Sequence, residues 1–151
     1  MRAKQFFQQV SRAERELKLI RAQIAHYEDI GFSLSGGNSD APGGGKGSRS
    51  SSRVEAAAIG IFDATRALHD QEREYMALIA RARQVIGGIH QEKYRDILTY
   101  RYLCGWSFRS ISDELAYNDP NSVYRSHGWA LSEAQKILNK LEDADGQNRN
   151  A

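Results

Sequence analysis

The chain has 151 residues and a mass of 17.0 kDa, enough for one ordinary domain or a small domain carrying an extended appendage. Hydrophobic residues make up 40% of it, its glycines are concentrated in one stretch and it has only two prolines, which argues against a turn-rich β fold and predicts an all-α protein. A formal net charge of +2 excludes a sequence-wide attraction to nucleic acid, so any DNA contact must come from a local basic face.

From Phe6 the apolar positions fall at Phe6, Val10, Ala13, Leu17, Ile20, Ile24 and Tyr27, an alternation of four and three that predicts one long amphipathic helix. Gly31 is the expected stop, because glycine closes a helix in the left-handed conformation without a Cβ penalty. Between 31 and 52 glycines and serines dominate, with only Phe32 and Leu34 as larger apolar groups, and the segment is expected to be a flexible linker. Gly44-Gly45-Lys46-Gly47 has part of the look of a phosphate loop. Asp40 stands at its first glycine position, however, and Gly47 replaces the required hydroxyl.

Ser52 and Glu55 have the spacing of a capping box and predict the start of a second helix. Its seam runs Val54, Ala58, Ile61, Thr65, Leu68, Glu72, Tyr75, Ile79, Ala82, Ile86 and Ile89, with Ala57, Ala64, Leu78 and Val85 widening the stripe. Two such helices suggest a coiled-coil-like helical hairpin over 1–89, and the same seams would also serve a homo-oligomer. Gly87 and Gly88 mark a joint before the next module.

Tyr94, Leu98 and Tyr102 share one face of a helix that ends at Gly105, with Ile97 and Leu103 beside them. Ser107 is placed to cap a short helix from Phe108 to about Tyr117, turning Ile111 and Leu115 inward. Asp119 and Pro120 then start a last helix, running to about Leu141, with 144–151 as a disordered tail. Val123, His127, Ala130, Ala134 and Leu138 stack on its inner side. Asn121, Ser122, Arg125, Ser126 and Trp129 lie opposite, with Tyr124 on a flank. Short polar groups, a guanidinium and aromatics at a helix N-terminus suit the reading of base edges and phosphates in a major groove.

Tyr94-Arg95, Leu98, Arg101-Tyr102-Leu103, Gly105-Trp106-Ser107, Ile111, Leu115, Tyr117, Val123-Tyr124-Arg125, His127-Gly128 and Ala130-Leu131 resemble the helix-turn-helix of sigma-70 region 4. The chain is most similar to the small sigma-like regulators of phages and prophages of Gram-positive bacteria, which also carry a long helical half interrupted by a Gly/Ser-rich segment. The resemblance implies a helix-turn-helix DNA-binding domain over 90–143 and promoter recognition for phage late-gene control. It further implies double-stranded DNA as partner, host RNA polymerase as a second one, and the bacterial host cytoplasm as location. The chain departs from the pattern by one extra residue between Tyr117 and Val123, and by Ser126 where a larger apolar group is usual. A region for melting the promoter is not legible in the N-terminal half, which points to an activator or accessory factor.

The expected DNA contacts are Ser107, Arg109, Asn121, Ser122, Tyr124, Arg125 and Ser126. Seven basic groups face six acidic ones from Glu92 to Lys140, a balance that fits a merely solvated surface as well as a DNA-binding one; Arg125, and then Arg109 as a phosphate clamp, are the residues expected to stand apart from it. Arg101 either joins them or pairs internally with Asp113 or Glu114. His127 is expected to be packed and hydrogen-bonded, Cys104 to be a small buried hydrophobe, and Trp106 to roof the small core. The scattered histidines have no metal-site spacing, no nucleophile and base can be assembled, and no cofactor is expected. No apolar run approaches the ~20 residues of a membrane span. Two other readings fit the same residues: a DNA-packaging or replication accessory resembling a small terminase, and a helical adaptor that never touches DNA.

Overall fold

The computed structural model describes residues 1–35 and 47–149, and the side chains of all of these except 34, 35 and 47–51. Every element among them is helical: α1 (Ala3–Ser35), α2 (Gly47–Gly87), α3 (Glu92–Leu98), α4 (Phe108–Glu114) and α5 (Pro120–Arg149), with a π-helical turn at Thr99–Leu103 prolonging α3. No helix among the described residues is long and apolar enough to cross a membrane.

Three helix ends differ from expectation. Gly31 lies inside α1, its backbone outside the left-handed region, and α1 continues to Ser35; a glycine in a helix interior costs about 1 kcal/mol against alanine, which does not stop a helix anchored by a long buried stripe. α2 begins at Gly47, so Ser52 and Glu55 sit inside the helix and the capping box is not its start. α5 runs on to Arg149 through the expected tail, where Arg81 Nη2 reaches Asp145 Oδ2 at 2.7 Å and so adds a tertiary anchor that local composition does not show. The core of the expected linker, 36–46, lies outside the described residues.

The chain forms two compact units, one of Met1–Ala13 with Tyr75–Ala151 and the other of Glu14–Glu74. In the second unit α1 and α2 run antiparallel, as the pairs Arg21–Glu72 (3.3 Å) and Tyr27–Gly60 require. Leu17 and Ala57 are buried, and Ile20, Ile24, Tyr27 and Leu68 half-buried. Glu72, the polar break in the α2 seam, is matched there by Arg21. The seam of early α2 is rotated from the expected one: Ala57 is buried while Val54 and Ala58 are exposed. Gly60 explains the rotation, since a Cβ there would lie 2.9 Å from the Tyr27 ring, so the helices approach over small residues. Ile59 and Phe62 are left outward, each 63% exposed.

The first unit has a core to which the expected boundary at residue 89 does not apply. Phe6, Phe7 and Val10 from α1 meet Ile79, Ala82, Val85 and Ile86 from α2, together with Ile89, Leu98, Tyr102 and Ala130, Ala134 and Leu138 of α5. The chain does turn after Gly87, yet residues on both sides of the turn enter one core. A Cβ on Gly88 would stand 2.9 Å from Ile137 Cγ2, so glycine here lets the turn close onto α5. A smaller cluster of Ile97, Ile111 and Val123, flanked by Trp106, Phe108, Leu115 and Tyr117, ties α3 to α4 and α5.

Candidate nucleic-acid interface

The surface in question is carried by α4 and the first three turns of α5. Ser107 has extended backbone and its Oγ accepts the Ser110 amide at 3.1 Å, the N-cap that the sequence gives it. α4 ends in a left-handed residue, Ala116 (φ 54°): the Tyr117 amide donates to Ser112 O at 3.0 Å and the Ala116 amide to Asp113 O at 3.4 Å. That is a Schellman arrangement with alanine where glycine is usual. Asp119 Oδ1 then accepts from the Asn121 amide at 3.1 Å and Pro120 takes the first helical position, as its locked φ and missing N–H favour.

An aromatic stack fixes the surface from beneath. Phe108 packs on Tyr124 (4.6 Å between ring centroids) and edge-on to His127 (4.9 Å), and the Arg101 guanidinium lies over the Phe108 ring at 4.3 Å. Arg101 Nη1 also donates to Trp106 O at 2.9 Å. It is a pillar of the turn, with no carboxylate of Asp113 or Glu114 in ion-pair range. Trp106 is half-buried and stacks on Tyr100 at 4.4 Å, so its roofing role holds.

His127 is half-buried and shares a 2.9 Å hydrogen bond with the Tyr102 hydroxyl, the donor being set by the imidazole tautomer. Burial, reinforced by the charges of Arg101 and Lys4, lowers its pKa to about 4, so the ring is neutral at pH 7. Burial also raises the Tyr102 pKa, against the pull of Arg101. The packed histidine expected at this position is therefore present.

Two side-chain placements are corrected. Ser126 is 3% exposed and belongs to the inner line Val123, Ser126, Ala130, Ala134 and Leu138, so it leaves the set of surface residues. The inner face of α5 passes between positions 126 and 127: a short serine is covered by its neighbours, whereas the longer imidazole reaches out to Tyr102 and Phe108. Cys104 is exposed, because the i+5 bonding of the π turn inserts a residue, keeping Tyr102 inward while Cys104, whose amide bonds to Thr99 O at 3.0 Å, swings out. Nothing in the local apolar pattern signals that turn.

Of the remaining expected contacts, Ser107, Arg109, Asn121, Tyr124 and Arg125 are exposed and Ser122 is half-exposed. Tyr124 and Trp129 stand out at 56% and 55% exposure, flanking a line of Asn121, Arg125 and Gly128 that faces open space. Neither Arg109 nor Arg125 has an ion-pair partner among the described residues, while Lys136, farther along α5, is held by Glu133 at 2.6 Å. Lys4 also bears on His127 through its charge, and no local signal in the sequence links position 4 to position 127. Among the described residues no group of three or more His, Cys, Asp or Glu side chains could hold a metal ion. Comparison of the chain with protein-family models, curated proteins and solved structures returns no match.

Proposed function

We propose that the chain is a sequence-specific DNA-binding regulator of transcription that inserts the N-terminal turns of α5 into the major groove. The observation that carries this reading is the outer face of those turns: Asn121, Arg125, Tyr124 and Trp129 are exposed, Arg125 is free of any carboxylate, and the backbone that presents them is fixed by the Asp119 cap and the Phe108–Tyr124 stack. Arg109, exposed near the start of α4, is the phosphate clamp, and the Ser107 hydroxyl is a lesser one. The resemblance to sigma-70 region 4 supports the same arrangement of α4 and α5 as a helix-turn-helix, with phage late-gene promoters as the expected target. On this reading the Glu14–Glu74 helix pair is the hairpin that meets a partner, either a second copy or host RNA polymerase, through its exposed Ile59 and Phe62.

Selection of bound duplexes from a random pool tests the proposal. A bidentate arginine–guanine contact is worth about 1 to 3 kcal/mol of discrimination, so Arg125→Ala should lose that much preference for the selected sequence while the fold is kept. Equal preference in the variant refutes the assignment of α5. A protein that enriches no sequence and whose binding has no steep salt dependence would be an adaptor, and a closed ring in light scattering would point to DNA packaging.

A further inference from the structure

In the Glu14–Glu74 helix pair the inner side of α2 is taken up by α1, and the side opposite the buried Ala57 faces outward. On that outer face Ile59 and Phe62 are each 63% exposed, and Asp63, Arg66, Asp70 and Arg73 continue it toward the C-terminus, all of them exposed. Steps of three, four and three residues keep the four charges on one stripe of the helix. Ion pairs in this unit engage Lys18, Arg21 and His69, whereas among the described residues none engages these four. Their spacing would allow pairing along the helix, yet each side chain is left to solvent.

The signs along the stripe run acid, base, acid, base. From the other end they run base, acid, base, acid, with the same steps of three, four and three. A second α2 laid antiparallel across this face, centred on position 68, therefore sets Asp63 opposite Arg73 and Arg66 opposite Asp70, and two-fold symmetry repeats both pairs. A parallel copy in register would set like charges on one another and be repelled. In the antiparallel arrangement Phe62 comes beside Arg73 of the second copy, whose aliphatic stem and guanidinium are suited to covering an aromatic ring.

We infer that the outer face of α2 binds a second copy of this chain, as an antiparallel two-fold dimer centred near position 68. The inference rests on the part of the proposed reading that gives this helix pair a partner, and it commits the surface to self-association whether or not α5 reads DNA. Exposed ion pairs are individually weak and are screened by salt, so the dimer is weak, salt-sensitive and dependent on protein concentration.

The test is sedimentation of the full chain without DNA, over a concentration series at low and high salt. The parent should pass from monomer to dimer as concentration rises, and added salt should weaken the dimer. Arg66→Asp sets two pairs of like charges across the axis and should weaken association about tenfold. Combining it with Asp70→Arg restores opposite signs in both pairs and should recover the parent's affinity, which a merely solvated face would not do. Register is read by disulfide formation in a Cys104→Ser background, since Cys104 is itself exposed. With a rise of about 1.5 Å per residue, position 69 lies about 3 Å along the axis from its symmetry mate and position 62 about 18 Å. His69→Cys should therefore cross-link and Phe62→Cys should not. A parent that stays monomeric at every concentration overturns the inference, even if another protein is found on this face. A closed ring larger than a dimer, a double exchange that recovers nothing, or equal cross-linking at 62 and 69 overturns it too. A parent that dimerises as described and binds no duplex supports the dimer and refutes the DNA-binding reading alone.

Discussion

Phe7 offers the sharpest test of the claim that α1 and the C-terminal helices share one core. Its side chain is wholly buried, with the Tyr102 ring stacked at 4.8 Å and the Phe6 ring edge-on at 5.2 Å. Truncating a buried phenylalanine to alanine typically removes about 3 to 5 kcal/mol, and loss of a favourable ring pair accounts for about 0.5 to 1.5 kcal/mol beyond the area buried. For Phe7→Ala we expect a loss of about 4 kcal/mol, read as a shift in the urea midpoint followed by tryptophan fluorescence. Both tryptophans, Trp106 and Trp129, lie beyond α3, so the signal reports the C-terminal helices and not α1 itself. Leu19→Ala, at a position 60% exposed, should stay within about 0.5 kcal/mol of the parent. If Phe7→Ala moved the tryptophan-reported transition by less than about 1 kcal/mol, the first turns of α1 would not be part of that cooperative core.

Ala116→Gly should stabilise the protein by about 0.5 to 1 kcal/mol, because a left-handed alanine costs about 1 to 2 kcal/mol and the greater freedom of unfolded glycine offsets part of the gain; a lowered midpoint would contradict the strain at φ 54°. His127 has a folded pKa of about 4, below its ordinary 6.5, through burial first and the charges of Arg101 and Lys4 second. Its neutral form therefore supports the fold fully above pH 6.5, and that support drains away as pH falls toward 4. Screening of a half-exposed ring holds the effect to about 1 to 2 kcal/mol. His127→Gln should lose less stability than the parent between pH 7 and 4.5, and an NMR titration placing the parent's imidazole at or above 6.5 would refute the linkage.

The long helices were legible because their buried stripes repeat at three and four residues: Phe6, Val10, Ala13 and Leu17 in α1, and Ile79, Ala82 and Ile86 in α2, are all buried as the spacing requires. The caps Ser107 and Asp119 were legible for a different reason, since a hydroxyl or carboxylate before a helix satisfies amides within three residues. What local pattern misses is contact between remote segments. Nothing near Gly60 announces Tyr27, nothing near Gly88 announces Ile137, and the acidic stretch after Leu141 remains helical with Asp145 meeting Arg81. Within the candidate interface, the exposure of Asn121, Tyr124 and Arg125 followed from helical geometry. The inward Ser126 did not, because helical angle alone does not weigh how far a side chain reaches.

The joining of the opening turns of α1 to α5 in one core also sets an order of events during synthesis. Phe6 and Phe7 leave the ribosome before Ala130, Ala134 and Leu138, with which they are buried and which follow more than 120 residues later. At about 5 to 20 residues per second the wait is on the order of 6 to 25 s, during which two adjacent aromatic rings have no finished cavity to enter. The nascent chain is therefore most exposed to aggregation before α5 is made. A truncated product lacking α5 would carry that exposure permanently, and should be found bound to chaperones or degraded.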